Sequence, residues 1–417
     1  MHYPKMFLAQ RNIKSPKIDD VRGAVLNEMR DLNIRGKIKP GMRIAITAGS
    51  RGIANIALIL STMVAELMHY GAKPFIVPSM GSHGGATPAG QAGILKVLGI
   101  TEDSMGCSIK SQMDVVELTR TPEGFPVYLD KEAVAADGIV VVNRVKPHTE
   151  YSGDIESGLM KMMTIGLGKH KGALSAHSYA VQYGYQKVIT SIGREILKKA
   201  PILFGLALVE NGHDETARIT ALPPDLFEVT ERRLLQEAKN YLARLPFDKL
   251  DILIVEEMGK EISGTGIDTN VIGRVMFVGS PEPLAPRITR IVVLDLTEES
   301  QGSATGVGLA DFVTRRLVNK INPQVTYINC FTAMTPEKAR IPATGETDRE
   351  AIEWAFQTIG AVDPRQARVV KIKNTLHLDE IHVSESLFPE LGMNAEWSLK
   401  GTGRELSFDP MGNLCSR

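Results

Sequence analysis

Residues 43–52, RIAITAGSRG, decide the fold of this chain, because a short apolar strand there runs directly into a glycine-rich loop. Residues 53–70 then carry apolar side chains at helical spacing. A second strand at 74–78 and a continuous apolar strand at 138–143 repeat the pattern. Such uninterrupted apolar strands are expected where helices cover both faces of a parallel sheet. The sequence therefore predicts an α/β fold with a largely parallel sheet.

Two domains are expected, since 417 residues exceed one ordinary hydrophobic core. An amphipathic helix predicted over 228–245 ends at Pro246. After it, two strands and a helix are predicted at 251–255, 291–296 and 309–319. We predict an α/β domain over 1–245 and a second over 246–417, each with a mostly parallel sheet flanked by helices. The active site is expected in the cleft between the two domains.

Composition excludes several classes of protein. Lysine plus arginine equals aspartate plus glutamate at 48 each, so no net charge attracts the chain to nucleic acid or to acidic membranes. No stretch has the length and apolarity of a membrane span or a signal peptide. The three cysteines, Cys107, Cys330 and Cys415, are too scattered for a disulfide framework or a zinc site. These features predict a cytoplasmic protein.

Polar residues follow three of the predicted strands. Arg51, His83 and His148 each lie a few residues beyond the end of a strand. In open α/β sheets, ligands bind outside the carboxyl ends of the strands, so the three loops predict a site at one edge. An arginine next to a helix start can hold a carboxylate through two parallel hydrogen bonds. Arg51 is therefore a candidate for substrate binding.

Lys161 lies among apolar residues, within the run Leu159–Met163. Apolar surroundings disfavour the ammonium form and can turn the amine into a nucleophile. A single lysine more often extends its ammonium to water, but histidines at 148 and 177 on either side favour a functional role. His170 belongs to the cationic run Lys169–Lys171, which we expect to be solvated surface.

Several familiar motifs are absent. The glycines of Gly166-Leu167-Gly168 are followed by Gly172, one residue out of register for a dinucleotide fingerprint. The chain has no phosphate-loop sequence of the Walker type and no serine-hydrolase elbow. His213 is expected in a turn, and His377 and His382 are expected at the surface. Nucleotide-phosphate and serine-hydrolase chemistry are thus disfavoured.

An ordered set of motifs resembles the nickel-pincer lactate racemase family, from about Arg43 to about Gly273. The motifs are Gly49-Ser50-Arg51, Gly81-Ser82-His83, Lys146-Pro147-His148, Ser157-Gly158-Leu159-Met160-Lys161 and His177. No single motif is specific, but their order is. The interval from Lys161 to His177 also matches the family's spacing between its cofactor lysine and its nickel-binding histidine.

The resemblance implies a nickel-pincer nucleotide (nickel pyridinium-3,5-bisthiocarboxylic acid mononucleotide), made by separate cofactor-synthesis enzymes. Lys161 would be joined to it through a thioamide, and His177 would supply the remaining nickel ligand. His83 and His148 would be general bases on opposite faces of a 2-hydroxy acid, whose hydride moves to the cofactor and back. Arg51 would pair with the substrate carboxylate.

The chain also departs from the lactate-active pattern. Ala48 replaces an aspartate, Gly158-Leu159-Met160 replaces a glycine-glycine-arginine run, and Ile272 and Gly273 replace a tyrosine and a glutamine. These differences indicate a substrate other than lactate. Three residues are candidates for recognising it: Arg274, Glu150 and Tyr151.

The leading interpretation is therefore a racemase or epimerase of a small-molecule 2-hydroxy acid. Two alternatives stay open, an NAD(P)-type oxidoreductase and a non-catalytic nucleotide-binding homologue. The missing dinucleotide register disfavours the first. The combination of Lys161 with two histidines disfavours the second, since a carrier needs no pair of bases. Homo-oligomer formation is left open.

Overall fold

The structure, a computed structural model, describes residues 2–12, 15–50, 52–242, 244–278 and 281–415. The chain forms two compact units. The N-terminal unit comprises residues 15–242 with 332–334, and the C-terminal unit comprises residues 1–14, 243–331 and 335–417. We expected residues 1–245 to form one domain. Instead β1 (Lys5–Arg11) belongs to the C-terminal unit, because it pairs with two strands from the end of the chain.

The N-terminal unit is built on strands followed by helices. Its strands are β2 (Arg43–Ala48), β3 (Lys73–Pro78), β4 (Val115–Arg120), β5 (Pro126–Asp130), β6 (Gly138–Arg144), β7 (Ile202–Glu210) and β8 (Thr216–Leu222). Its helices are α1 (Val21–Asp31), α2 (Ile34–Lys37), α3 (Ile56–His69), α4 (Pro88–Val97), α5 (Glu102–Met105), α6 (Lys131–Val134), α7 (Leu159–Lys161), α8 (Lys169–Tyr183), α9 (Tyr185–Lys199) and α10 (Phe227–Tyr241).

Five of these strands form the central sheet, in the order β3-β2-β6-β7-β8. All neighbours are parallel except β7 and β8, so the predicted largely parallel α/β sheet is confirmed. Along β2, Ile44 and Ile46 pack into a core shared with α1 and α3, while Ala45 and Thr47 are buried on the other face. This two-residue period with both faces buried explains the uninterrupted apolar run in the sequence.

The start of α4 illustrates how local sequence determines an element. Thr87 caps the helix, because its side chain accepts a hydrogen bond from the N–H of Gly90 at 3.1 Å. Pro88 occupies the first helical position, where its missing N–H has no cost. A capping threonine followed by proline is a sequence signal for a helix start, and the helix begins there. It fixes the end of the loop that carries His83.

The C-terminal unit has an eight-stranded sheet, in the order β12-β11-β10-β9-β13-β14-β1-β15. Besides β1, its strands are β9 (Lys249–Val255), β10 (Arg287–Val293), β11 (Phe312–Thr314), β12 (Ala343–Gly345), β13 (Val369–Ile372), β14 (Glu380–Ser384) and β15 (Trp397–Glu405). Its helices are α11 (Thr269–Ile272), α12 (Arg315–Asn319), α13 (Pro323–Thr332), α14 (Asp348–Gln357) and α15 (Phe388–Gly392). The first five strands of the sheet are parallel, and the last three are antiparallel to their neighbours.

One element prediction in this unit is wrong. A single helix was expected over 309–319, but Phe312–Thr314 is strand β11 and the helix begins only at Arg315. Thr314 caps it by accepting from the N–H of Leu317 at 3.1 Å. Val313 is fully buried in the sheet between β10 and β12. A short apolar run has no periodicity of its own, so only its partners decide between strand and helix.

A helix that crosses a membrane must be both long and apolar. Within the described ranges, no helix combines the length and the apolarity required to cross a bilayer.

Candidate active site

Loops from three neighbouring strands meet at the carboxyl edge of the N-terminal sheet. Ser50 follows β2, His83 follows β3 and His148 follows β6. They surround a cavity of about 150 Å³. The residues that line it include Ser50, His83, Asn143, Arg144, His148 and Lys161. The predicted convergence of His83, His148 and Lys161 on one cavity therefore occurs within this unit.

The His83 ring is held by a residue in the loop after the neighbouring strand β2. Its Nδ1 atom is hydrogen-bonded to Oγ of Ser50, the residue before Arg51 in the first loop. Its backbone carbonyl accepts from Nε2 of the buried Gln91 at 3.3 Å, and that amide also donates to the carbonyl of Gly81 at 3.0 Å. Both the ring and its loop are thus fixed, and proton exchange with a substrate would use Nε2.

His148 and Lys161 are in direct contact through Nε2 and Nζ. The other ring nitrogen, Nδ1, accepts the backbone N–H of Glu150 at 3.1 Å. A neutral imidazole carries one proton, so the Glu150 contact assigns that proton to Nε2. An Nε2–H group can donate only to an amine that is itself unprotonated. Donation from Nε2–H to Nζ would therefore require the unprotonated form of Lys161.

The loop that carries His148 is anchored by Glu156, a buried carboxylate with 1% exposure. Glu156 accepts from the backbone N–H of His148 at 2.7 Å and from that of Gly153 at 3.0 Å. It also forms an ion pair with Nζ of Lys239 on α10, at 2.6 Å. Charge-assisted bonds of this kind are stronger than neutral ones, so they hold the imidazole in place.

Lys161 ends the short helix α7 and is followed by a π-helical turn, Met162–Gly166. π-helical turns are rare and frequently occur at functional sites. The carbonyl of Gly158, at the start of α7, accepts from Nδ2 of Asn143 at 2.8 Å. Since Asn143 belongs to β6, the strand that leads to His148, one strand positions both members of the contact.

His177 lies on α8, and its Nδ1 atom is 2.9 Å from the hydroxyl of Tyr185. That hydroxyl is also hydrogen-bonded to the carboxylate of Glu150. Burial lowers the pKa of His177 to about 4; the Glu150 carboxylate opposes this shift, and a protonated Lys161 would add to it. The ring is therefore neutral at pH 7. With Nδ1 at the tyrosine, Nε2 is the nitrogen suited to bind a metal. His177 is not among the residues that line the cavity.

Among the remaining candidates, Arg51 lies outside the described residues, and Arg274 and Tyr151 are not among the residues that line the cavity. Arg274 belongs to the C-terminal unit, where it pairs with Asp311 at 2.7 Å and donates to the carbonyls of Leu309 and Ile288 at 3.0 Å. Tyr151 is buried and stacks on Tyr185, with ring centroids 4.8 Å apart. These contacts hold loops and rings in place.

The expectation that the run 169–171 is solvated surface is wrong for Lys169. Its side chain has no exposed surface. Its Nζ atom lies 3.2 Å from a carboxylate oxygen of Asp130 and donates to the carbonyl of Pro78 at 2.5 Å. The lysine thus ties the start of α8 to β5 and to the end of β3. Its partners are remote in sequence, so no local pattern could indicate them.

Several residues of the site were not singled out from the sequence: Asn143, Arg144, Tyr185 and Glu231. Arg144 lines the cavity and is ion-paired with Glu210. The sequence could have indicated Glu231, because it lies among the buried positions of an amphipathic helix, one turn after Phe227 and one before Leu235. A carboxylate on an apolar helix face indicates a buried role.

A metal at this site would need ligands beyond the protein. Throughout the described ranges, no group of three or more histidine, cysteine or acidic side chains could hold an ion. A neutral His177, in the same segment as Lys161, instead fits an organic cofactor that brings most of its own metal ligands. The donor set is thus compatible with the cofactor that the sequence resemblance implies.

The fold and the site together define an α/β protein with two imidazoles in the loops after β3 and β6 and an amine at the end of α7. Residues 7–186 match the family described as the lactate racemase N-terminal domain, the family that the sequence motifs resemble. The structure is similar to the lactate racemase apoprotein from Thermoanaerobacterium thermosaccharolyticum, with a TM-score of 0.53 and 14% sequence identity. That likeness covers 88% of this chain and 93% of the other, and it concerns the fold. No curated protein sequence matches.

Proposed function

We propose that this chain is a racemase or epimerase of a small 2-hydroxy acid and carries a nickel-pincer nucleotide on Lys161. The observation that carries the proposal is the contact between Lys161 and His148 in a cavity that His83 also lines. When bound, the cofactor supplies a group that accepts a hydride and returns it. The protein contributes attachment, orientation and proton transfer.

Lys161 would attach the cofactor, since the pattern around His148 favours its neutral amine. His177 would bind the nickel through Nε2, with Tyr185 orienting the ring through Nδ1. Partners of this kind fix the tautomer of a ligating histidine and raise its affinity for the metal. Both residues lie in the segment 158–186, within the matched family region.

His83 and His148 would exchange the hydroxyl proton of the substrate on its two faces. Inversion of one centre in both directions requires a base on each side, and imidazole has a suitable basicity near neutral pH. His83 is ready for this role when Nδ1–H donates to Ser50. For His148 to accept a proton at Nε2, its ring proton would have to be on Nδ1, so the backbone N–H of Glu150 would have to release that nitrogen when the cofactor is attached.

The cavity lined by His83, His148 and Lys161 would hold both the cofactor and the substrate. Arg51 remains our candidate for the substrate carboxylate. Ala48 and the replaced run before Lys161 support a substrate other than lactate. We therefore propose a small 2-hydroxy acid with a side chain different from that of lactate.

The test is co-production with the pincer-synthesis enzymes and nickel, followed by intact-protein mass and chiral assays on a panel of 2-hydroxy acids. The expected result is a cofactor adduct on Lys161 and interconversion of enantiomers. Lys161→Ala should lose both, whereas the control Lys171→Ala, an exposed lysine on α8, should keep both. An adduct-free protein that consumes NAD(P)H with keto acids would favour the oxidoreductase alternative. An adduct without turnover of any acid would favour the non-catalytic homologue.

A further inference from the structure

Glu231 on α10 is a carboxyl group with no exposed surface, and its bonds end on the turn that carries Lys161. Its Oε2 atom accepts the backbone N–H of Met160 at 3.1 Å, and the N–H of Leu159 also donates to the carboxyl. These are the first two residues of α7, and Lys161 is the third. Glu231 therefore holds the backbone next to the lysine.

Gly158 shows how closely this turn is pressed onto the carboxyl. Its φ is +132°, a conformation that favours glycine. A Cβ atom there would lie 2.5 Å from Oε1 of Glu231 and 3.0 Å from Cγ2 of Val145. From the other side, Asn143 donates to the carbonyl of Gly158 at 2.8 Å. The start of α7 is therefore clamped between β6 and α10.

The charge state of Glu231 is consistent with a neutral lysine. Burial raises the pKa of Glu231 to about 8, so the group is mostly the neutral acid at pH 7. Within the described part of the chain, Oε1 has no hydrogen-bond partner. A neutral acid does not stabilise a nearby ammonium as a carboxylate would. Glu231 thus anchors the backbone without favouring the charged form of Lys161.

We propose that Glu231 is a positioning residue for Lys161, and that its hydrogen bonds to the start of α7 hold the amine against His148. Burying a carboxyl group costs free energy, and an apolar side chain of similar size would fill the same space without that cost. An apolar side chain could not, however, accept the two backbone N–H groups. The inference rests on the proposed function only in taking Lys161 as the cofactor attachment point. The positioning itself can be measured without any cofactor.

The experiment is competitive acetylation with trace acetic anhydride at pH 7, with the rate at Lys161 read from peptides relative to the exposed Lys96. In the unmodified protein, Lys161 should react faster than Lys96, because a neutral amine is the reactive form. Glu231→Leu keeps the volume and removes the acceptor. It should lower the Lys161 to Lys96 ratio about tenfold, the effect of one lost hydrogen bond, whereas Glu231→Gln should stay within about threefold.

Ile59→Ala is the matched control, because it loosens a buried position on α3 in a different part of the core. It should lower stability and leave the ratio unchanged. Glu231→Asp, which withdraws the acceptor by one methylene, serves if Glu231→Leu does not fold, and it should also lower the ratio. A folded Leu or Asp variant with the original ratio overturns the proposal, as does an equal fall in Ile59→Ala. Failure of the cofactor to attach to a protein with a reactive Lys161 would instead count against the proposed function.

Discussion

Nζ of Lys161 contacts Nε2 of His148, while the backbone N–H of Glu150 occupies Nδ1 of the same ring at 3.1 Å. The two contacts can coexist only when the ring proton is on Nε2 and the amine is unprotonated. A backbone amide cannot change its role as a donor. The backbone N–H of Glu150 therefore determines which protonation state of Lys161 is compatible with this contact.

This arrangement predicts the tautomer of His148. In the cofactor-free protein at pH 7, the ring should be the neutral Nε2–H form, which long-range ¹H–¹⁵N NMR correlations identify directly. Lys161→Met should leave that tautomer in place, because the Glu150 N–H still needs an acceptor. An Nδ1–H tautomer in either protein would contradict the assignment.

Replacement of either active-site histidine should abolish net racemisation. His83→Ala or His148→Ala in the cofactor-loaded protein should reduce the rate by roughly a hundred- to ten-thousand-fold, as for other general bases. Each enantiomer is supplied separately, and both products are followed by chiral chromatography. The exposed His69 on α3 gives a control, His69→Ala, that should keep full activity. Near-normal rates in both active-site variants would rule out the two-base mechanism.

Tyr185 should matter for metal retention. Tyr185→Phe removes the hydroxyl at Nδ1 of His177 and leaves the ring stack with Tyr151 intact. Loss of such an orienting partner typically weakens metal binding by about 10- to 100-fold. Nickel content of the loaded protein after dialysis, by elemental analysis, measures the effect. The control Tyr183→Phe, on a more exposed ring of α8, should retain nickel normally, and equal retention in Tyr185→Phe would refute the orienting role.

The buried pair of Lys169 and Asp130 should dominate the stability of the N-terminal unit. Burial lowers the pKa of Lys169 and raises that of Asp130, so each charge depends on the other. Lys169→Met leaves an unpaired carboxylate and should cost roughly 3–5 kcal/mol in urea unfolding. Adding Asp130→Asn should recover part of that loss. If the double variant is no more stable than Lys169→Met, the two side chains are not coupled.

Glu231 should give the stability of the protein a pH dependence. Its pKa is about 8 in the folded protein and near the ordinary glutamate value of 4.5 when unfolded. Between these values the folded state binds more protons than the unfolded state, so this group makes stability fall as pH rises from about 4.5 to about 8, by at most about 1.4 kcal/mol per pH unit. The stability of Glu231→Gln relative to the original protein should therefore improve across that range. Parallel curves for the two proteins would show that Glu231 does not titrate there.

The sequence predicted structure correctly where short-range patterns of residues determine it. The apolar strand at 43–48, the cap at Thr87 and the histidines beyond strand ends all follow from periodicity and short-range chemistry. The element at 312–314 could not be assigned in this way. Its neighbours β10 and β12 are separate in the chain, and only they make it a strand.

Contacts between residues of the site were harder to predict from the sequence. The sequence indicated His148 and Lys161 but not that they touch, because a loop anchored by Glu156 and Lys239 determines their distance. Lys169 was assigned to the surface, since its carboxylate partner lies in β5. Long-range pairing of charges leaves no mark on a single sequence. Glu231 is the exception, because its position on the apolar face of α10 can be recognised from the sequence.

The placement of β1 has a consequence for the order in which the protein can fold during its synthesis. This strand leaves the ribosome before residues 15–242, whereas its partners β14 and β15 leave after them. Residues 15–242 can complete their own sheet while β1 still has no neighbour. An unpaired strand is a template for aggregation, so the nascent chain must keep these seven residues protected until β14 and β15 have also been synthesised.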